Sequence, residues 1–411
     1  MIFQLLQYGG ELMELVNGGI RSAMGNSSWI RRMFEAGLEL KKQYGADKVY
    51  DFSLGNPDLP PPPEVKRALT AIAGHADEPF SIGYMPNAGF SNVRELVAKR
   101  VSAEQGRNIP GANVIMTCGA AGGLNVFFRA VLAQGDEVIV PTPYFVEYDF
   151  YAGNFGGKLV KAPSKDLTFE LDIAAFERAF SPRTRAVIIN SPNNPTGRIY
   201  TRRELEALAE LIRAMEKKYD RAIYLISDEP YRFLNFAGSE LPAVMGLFPH
   251  AVVIGSYSKN LSLAGERLGY IAVDSGIPGT DKLMAALTMC NRILGFVNAP
   301  ALGQKILAEC LDAEVDPGIY RERRDAMAKV LDDAGIEYTM PQGAFYFFPK
   351  SPTPDEGVFI DALLKERVLA VPGRGFGRPG YFRAAFCVDK SVIEGAADGF
   401  KAAVAAVAGK R

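Results

Sequence analysis

The sequence predicts an α/β fold whose large domain is built on a mostly parallel sheet of the seven-stranded type, covered by helices. Short apolar runs recur along the middle of the chain without polar residues on either face, as is typical of strands buried on both sides. They lie at residues 114–116, 138–140, 186–189, 223–226 and 252–254. Segments with helical spacing of apolar residues separate these runs, and such alternation indicates a parallel sheet.

The helices are predicted from apolar spacing and capping signals. Apolar residues recur at helical spacing from Ser28 to about Tyr44, and further helices are predicted over 64–73 and 124–132. The clearest helix follows Thr201, because Thr201 and Glu204 have the spacing of a capping box. Its apolar face consists of Leu205, Leu208, Leu211, Ile212 and Met215.

The two ends of the chain predict a smaller α+β domain. A proline cluster over 57–63 favours an extended crossing between domains, since each proline fixes its φ angle. After about residue 305 a charged helix, an apparent strand at 344–348 and a final helix from about Ser391 replace the earlier alternation. We therefore predict three parts. They are an N-terminal segment that joins the small domain over 1–60, the large domain over 61–305, and the C-terminal small domain over 306–411.

Composition excludes several classes of partner. The 411 residues contain 46 Lys and Arg against 47 Asp and Glu, so the cationic surface that nucleic acid or an acidic membrane requires is missing. No apolar stretch reaches the roughly 20 residues of a membrane span, which predicts a soluble protein.

The four cysteines lie far apart, which argues against a metal site or a disulfide scaffold and favours the cytoplasm. Only His75 and His250 are present, so any chemistry must proceed largely without imidazole.

Polar and small residues follow the apolar runs, at the sheet edge where ligands bind in open α/β folds. The glycine-rich and alanine-rich turn at 117–123 suits either phosphate binding at a helix start or close packing. Asp228 and Tyr231 follow the fourth run, where the alternative is a helix-capping aspartate with a packing tyrosine. Lys259 stands beside two serines, with Arg267 eight positions later. Such a cluster favours chemistry over a purely structural role.

Two longer motifs give this pattern an interpretation. Residues 191–197 are Ser-Pro-Asn-Asn-Pro-Thr-Gly, and residues 256–269 are Ser-Tyr-Ser-Lys-Asn-Leu-Ser-Leu-Ala-Gly-Glu-Arg-Leu-Gly. In this order, with Asp228 and Tyr231 between them, they resemble the pyridoxal-phosphate-dependent aminotransferases of fold type I, the aspartate aminotransferase-like class I/II family. The resemblance extends from 51–57 to 380–383. It implies an enzyme that uses pyridoxal 5′-phosphate to move an amino group between an L-amino acid and a 2-oxo acid.

The resemblance also implies roles around the cofactor ring. Lys259 matches the lysine that forms a Schiff base with the cofactor aldehyde and later moves the proton, which requires a free amine. Asp228 matches the carboxylate that pairs with the pyridine nitrogen and keeps it protonated. Asn194 and Tyr231 match side chains that hydrogen-bond the ring oxygen, and Tyr144 matches the aromatic residue that stacks on the ring.

Further positions match the phosphate site, the substrate site and a subunit contact. Arg383 matches the arginine that binds the substrate α-carboxylate through a two-bond fork, together with Asn194, and Gly55 matches a position that the substrate approaches closely. Tyr84 matches a tyrosine supplied by the neighbouring subunit, which implies a homodimer with shared active sites. The implied phosphate ligands are Gly119, Ala120, Ala121, Ser256, Ser258 and Arg267.

Three positions depart from the family pattern. Ala120 stands where relatives specific for acidic substrates have a lysine, so aspartate specificity does not follow from this position. Glu266 replaces a tryptophan that often precedes the phosphate arginine. Arg374 stands where small polar residues are usual, and either binds a second carboxylate or is a solvated surface residue.

Two other functions compete with transamination. The same cofactor chemistry supports a carbon–sulfur β-lyase, depending on which bond of the substrate Cα is aligned for cleavage. Ser256-x-x-Lys259, with Ser191-x-Asn193, also fits part of the pattern of penicillin-recognising serine hydrolases. That pattern further requires a Lys-Thr-Gly element, which is absent, and a nucleophile that begins a helix.

Overall fold

The computed structural model describes residues 15–25 and 29–408. Ser28, the predicted start of the first helix, and the first 14 residues of the predicted N-terminal segment lie outside the described residues, as do residues 409–411. Among the described residues, no helix combines the length and apolar character needed to cross a membrane.

The helices agree with the apolar spacing of the sequence. The capping box at Thr201 is formed, and the apolar face of the helix that follows it is largely buried. The predicted C-terminal helix is divided in two by Ala396. The helices are α1 (Gly18–Gly25), α2 (Trp29–Tyr44), α3 (Pro63–Ala73), α4 (Ser91–Gln105), α5 (Gly119–Val131), α6 (Glu147–Gly153), α7 (Ile173–Ala179), α8 (Arg202–Tyr219), α9 (Thr280–Ile293), α10 (Ala301–Cys310), α11 (Pro317–Asp333), α12 (Glu356–Lys365), α13 (Lys390–Gly395) and α14 (Ala397–Val407).

All five apolar runs form strands of one sheet. The apparent strand at 344–348 is shorter than predicted, and only its centre pairs. The strands are β1 (Tyr50–Asp51), β2 (Val114–Cys118), β3 (Glu137–Thr142), β4 (Lys158–Pro163), β5 (Thr184–Asn190), β6 (Tyr224–Asp228), β7 (Ala251–Ser256), β8 (Leu268–Val273), β9 (Tyr346–Phe347), β10 (Val368–Leu369), β11 (Val371–Pro372) and β12 (Phe382–Ala385).

Within the described residues the main sheet has seven strands, in the order β2-β8-β7-β6-β5-β3-β4. Strands β3 to β7 run parallel, and β8 runs antiparallel to both of its neighbours, β2 and β7. The prediction of a mostly parallel, helix-covered sheet is therefore confirmed. Because the parallel strands end at one edge, the loops after β3, β5, β6 and β7 meet there.

Side chains cover the sheet on both faces and form a further core elsewhere. Two clusters of buried apolar residues consist of side chains from the sheet and its covering helices, all between Val65 and Leu311. A third cluster joins Met33 and Phe52 to residues 315–407, so both chain ends contribute to it. The parallel pair of β1 with β10 makes the same connection through the backbone. The domain boundaries at 60 and 305 remain predictions.

Candidate active site

A cavity of about 280 Å³ opens at the carboxyl edge of the main sheet. It lies where the small C-terminal strands approach the loops that follow the parallel strands. Eleven of the residues predicted for the site line it, although they come from distant parts of the chain. They are Gly55, Ala120, Ala121, Asn194, Asp228, Tyr231, Ser256, Ser258, Lys259, Arg267 and Arg383.

Lys259 places its amine in this cavity just beyond the end of β7. The Nζ atom donates a hydrogen bond to the backbone oxygen of Gly55 at 2.6 Å. Burial lowers the pKa of Lys259 to about 8, and the cations of Arg383 and Arg267 act in the same direction. About a tenth of this amine is therefore uncharged at pH 7, far more than for an ordinary lysine, and the uncharged form is the one that a nucleophilic lysine requires.

Asp228 ends strand β6 as a buried carboxylate with one unsatisfied oxygen. Its Oδ2 accepts a hydrogen bond from the Tyr148 hydroxyl at 2.5 Å, and its Oδ1 has no partner among the described residues. Burial raises the pKa of Asp228 to about 7, despite the bond from Tyr148, which acts to lower it. A buried carboxylate in this state needs a cationic donor, and the protonated pyridine nitrogen of pyridoxal phosphate is such a group.

The turn after β2 forms a cradle of small residues for an anion. Helix α5 begins at Gly119, which has a φ of 70°, and a Cβ atom there would lie 2.9 Å from Nη2 of Arg267. Ser256 and Ser258 are joined by a hydroxyl hydrogen bond of 2.8 Å. A helix N-terminus, two hydroxyls and a guanidinium together suit a small phosphate group.

Arg383 is a buried guanidinium in which one nitrogen has no partner among the described residues. Its Nη1 donates to Oδ1 of Asn194 at 3.1 Å and its Nη2 to the backbone oxygen of Ser53 at 2.6 Å, whereas its Nε has no partner among the described residues. The rings of Tyr346 and Phe376 lie 4.6 and 4.7 Å from its Cζ atom. The side chain is thus held in place with a donor available for a carboxylate.

The structure does not bring Tyr144 to the cavity, and the adjacent Phe145 lines it instead. Tyr144 is buried, its hydroxyl donates to Asp149, and Lys161 lies 5.1 Å from the centre of its ring. These contacts turn the Tyr144 ring away from the site. The structure therefore contradicts Tyr144 as the stacking residue, and its neighbour Phe145 lines the cavity together with Tyr148 and Tyr151.

Gly55 is constrained by a side chain of the site. A Cβ atom at this position would lie 1.9 Å from the Tyr346 hydroxyl, so the position must be glycine while Tyr346 keeps its place. The sequence suggested a different reason, the close approach of a substrate.

Two further predicted residues, Gly119 and Tyr84, do not line the cavity of the single chain. Gly119 stands next to the lining residues and contacts Arg267. Tyr84 is 90% exposed and does not line the cavity of its own chain.

Arg374, His75 and His250 do not line the cavity. Arg374 is an exposed surface residue that pairs with Glu356 and Asp355, and it does not line the cavity, which agrees with the surface alternative and not with binding of a second carboxylate. His75 pairs with Glu78 on the surface, and His250 pairs with Glu216. Among the described residues, no cluster of histidine, cysteine and carboxylate side chains could hold a metal ion.

Sequence reasoning missed several residues that line the cavity. Tyr148 and Tyr151 lie three positions apart on α6, and this spacing of two aromatic residues on one helical face was the available signal. Asn190 ends β5, and its Nδ2 donates to the backbone oxygen of Asp228 at 2.8 Å. Tyr151 and Tyr346 also line the cavity. Ser256 ends strand β7 and starts no helix, which does not match the serine hydrolase pattern.

Comparison with known proteins agrees with this geometry. The model of the family "Aminotransferase class I and II" matches residues 47–400. The chain is 33% identical to the aspartate/prephenate aminotransferase of Thermus thermophilus over 88% of this chain and 92% of that protein. It is 28% identical to aromatic-amino-acid aminotransferase 2 of Thermococcus litoralis over 92% of this chain and 96% of that protein.

Solved structures give the same result. A crystal structure of an aminotransferase from Eubacterium rectale has a TM-score of 0.91 at 35% identity, covering 95% of this chain and 98% of that chain. An aspartate aminotransferase from Thermus thermophilus with maleate has a TM-score of 0.84 at 28% identity, covering 95% of this chain and all of that chain. The chain belongs to the class I and II aminotransferases, and it is a pyridoxal-phosphate-dependent transaminase of fold type I.

Proposed function

We propose that Lys259 is both the covalent attachment point of pyridoxal phosphate and the base that moves the substrate proton. The observation that supports this most directly is the pairing, in one cavity, of a buried amine of lowered pKa with a buried carboxylate that has a free oxygen. When bound, the cofactor supplies an aldehyde and a protonated ring that accepts electrons. Asp228 holds the ring nitrogen in its protonated form, and Asn194 and Tyr231 bind the ring oxygen.

The remaining polar groups orient the two anions. The backbone of Gly119, Ala120 and Ala121, with Ser256, Ser258 and Arg267, binds the phosphate. Arg383 binds the α-carboxylate of the amino acid through its free Nε and one Nη. By fixing the α-carboxylate, Arg383 sets the orientation of the substrate Cα, and alignment of the Cα–H bond for cleavage favours proton transfer to Lys259 over loss of CO₂.

The proposed substrates are an L-amino acid and a 2-oxo acid. The names of the relatives suggest aspartate, prephenate and aromatic amino acids as the first compounds to test. A panel of L-amino acids with 2-oxoglutarate should yield keto acid in proportion to amino transfer. Release of ammonia or sulfide without proportional transfer would instead support the β-lyase, the second candidate on this site.

We also propose a homodimer in which each site receives Tyr84 from the other subunit. Phe80 and Tyr84 are 92% and 90% exposed, which is unusual for neighbouring aromatic residues on a monomer. Their segment is bound to α9, because Asn291 Nδ2 on that helix donates to the backbone oxygen of Asn87 at 2.8 Å. The exposed Met289 and Ile293 lie on the same helix. A second copy of this chain would cover these apolar side chains.

Subunit hybrids test the shared site. Lys259→Ala and Tyr84→Ala chains are each expected to have very low activity as homodimers. Refolded together in equal amounts, they should recover about one quarter of wild-type activity, since half of randomly paired dimers are hybrids with one complete site. No recovery in a mixture shown to contain hybrid dimers would mean that Tyr84 does not act across the interface.

A cytoplasmic location is the remaining part of the proposal. The four cysteines, Cys118, Cys290, Cys310 and Cys387, are unpaired thiols. Free thiols of this kind are typical of a reducing compartment. Fractionation of cells that produce the protein would test this, and recovery with membranes or in the periplasm would contradict it.

A further inference from the structure

Tyr346 contacts three residues to which the proposed function gives a role. Its hydroxyl lies 3.0 Å from the hydroxyl of Tyr231, and its ring lies 4.6 Å from the guanidinium carbon of Arg383. The same hydroxyl fills the space beside Gly55, the residue whose backbone oxygen accepts a hydrogen bond from Lys259. Tyr346 lines the cavity but is only 2% exposed, so its contacts are not exchanged freely with solvent.

The hydrogen bond between the two phenols has a direction that the proposed function fixes. Each phenol has one proton to donate. If Tyr231 donates its proton to the ring oxygen of the cofactor, it can only accept from Tyr346. Among the described residues, the Tyr346 hydroxyl has no other hydrogen-bond partner to receive its proton. The two hydroxyls then form a chain that runs from Tyr346 through Tyr231 into the cavity.

We propose that Tyr346 is a positioning residue that directs the Tyr231 hydroxyl toward the cofactor, and that position 55 is glycine because any side chain there would displace Tyr346. The inference rests on the proposed function, in which Tyr231 binds the ring oxygen. It assigns a role to a residue of β9 that the site motifs of the sequence do not include.

The surroundings keep both phenols protonated near neutral pH. Burial raises the pKa of Tyr231 well above its ordinary value and that of Tyr346 to about 12. The charged and titratable groups that face the pair are Asp228, Arg383, Cys387 and Tyr148. Arg383 lowers the pKa of both phenols, but burial outweighs it in each case. The hydroxyl chain therefore has both of its protons in the range where the enzyme is assayed.

Tyr346→Phe in the holoenzyme tests the proposal, because it removes the hydroxyl and keeps the ring beside Arg383. Donation by Tyr231 stabilises the anionic ring oxygen, so its weakening should favour the protonated form. The pH at which the absorption of the bound cofactor changes should rise by roughly half a unit to one unit, the effect of one hydrogen bond. The value of kcat should fall, and the KM for the amino acid should change less than twofold.

Two further variants separate this role from a structural one. Gly55→Ala keeps the Tyr346 hydroxyl but displaces it, so its spectral midpoint should shift in the same direction. Tyr320→Phe is the matched control, since Tyr320 is a buried tyrosine of the same core whose hydroxyl has no partner among the described residues. Its midpoint should equal that of the wild type.

The outcomes are distinguishable. An unchanged spectral midpoint in Tyr346→Phe would overturn the inference, and so would an unchanged midpoint in Gly55→Ala. A shift in Tyr320→Phe equal to that in Tyr346→Phe would also overturn it. If wild-type protein bound no pyridoxal phosphate, the proposed function itself would fail, and the spectral titration could not be performed on any variant.

Discussion

The hydroxyl of Tyr148 lies 2.5 Å from Oδ2 of Asp228 at the bottom of the cavity. Both residues are buried, and burial favours the neutral form of the carboxyl. The bond from Tyr148 opposes this effect, while the neighbouring Glu229 adds to it. Tyr148 therefore helps Asp228 to remain ionised until it pairs with the ring nitrogen of the cofactor.

Replacing Tyr148 by phenylalanine should weaken cofactor binding. Loss of a hydrogen bond to a charged group costs about 1.5–3 kcal/mol, which corresponds to a Kd for pyridoxal phosphate roughly 10 to 100 times larger. Fluorescence titration of the apoenzyme measures this. Tyr144→Phe is the control, because the Tyr144 hydroxyl donates to Asp149 and not to Asp228. Equal Kd values for the two variants would contradict the role given to Tyr148.

Asp228 should also make the stability of the apoenzyme depend on pH. Its pKa is about 7 in the folded chain and 3.8 in its ordinary state, so the folded state binds the proton more tightly. The stabilisation of the folded state by this proton is full below the ordinary pKa of 3.8 and is lost as pH rises through the folded pKa of about 7. Between pH 4 and pH 8 we expect a loss of about 2–4 kcal/mol that Asp228→Asn lacks. Urea unfolding of both apoproteins at several pH values checks this, and parallel profiles would refute it.

Phe145 rather than Tyr144 should contribute to cofactor affinity. Phe145→Leu removes an aromatic ring from the cavity and should raise the Kd for pyridoxal phosphate roughly tenfold, as expected for one aromatic contact. Tyr144→Leu creates a defect in a buried cluster, so it should lower the Tm and leave the Kd within about twofold of the wild-type value. The reverse pattern, measured by the same titration, would return the stacking role to Tyr144.

Arg383 should determine the affinity for the amino acid and not for the cofactor. Lysine cannot form a two-bond fork with a carboxylate, so Arg383→Lys should raise the KM for amino donors by roughly 100-fold, with the Kd for pyridoxal phosphate nearly unchanged. Steady-state kinetics with equilibrium titration separates the two constants. Arg374→Lys is the matched control, since Arg374 pairs with Glu356 outside the cavity. A large KM increase in that variant would show that Arg374 reaches the substrate.

The five main strands could be predicted because each contains a short apolar run without polar residues on either face. Strand β8 was missed, although Leu268–Val273 is apolar, because its first two residues end the 256–269 motif, which was interpreted as a cofactor site and not as the start of a strand. Strand β4 was missed for a different reason. It is the edge strand, and Lys158 and Lys161 are exposed there, so its sequence lacks an uninterrupted apolar run.

The site could be predicted where its residues end a strand or closely follow one in sequence, as Asp228 and Lys259 do. Tyr346 could not, because β9 belongs to another sheet and meets Tyr231 only through packing of distant segments. The error of one residue at Tyr144 has a similar origin. Neighbouring side chains of a loop point in different directions, and only the contacts of Tyr144 with Asp149 and Lys161 decide which aromatic residue faces the cavity.

The identity of the lysine that holds the cofactor tests the account most directly. Purified protein saturated with pyridoxal phosphate is reduced with borohydride, digested and mapped by mass spectrometry. We expect one stoichiometrically modified residue, Lys259, and no stoichiometric modification in Lys259→Ala treated in the same way. Stoichiometric modification of a different lysine, or retention of the covalent cofactor by the Lys259→Ala protein, would contradict the assignment of this cavity as the active site.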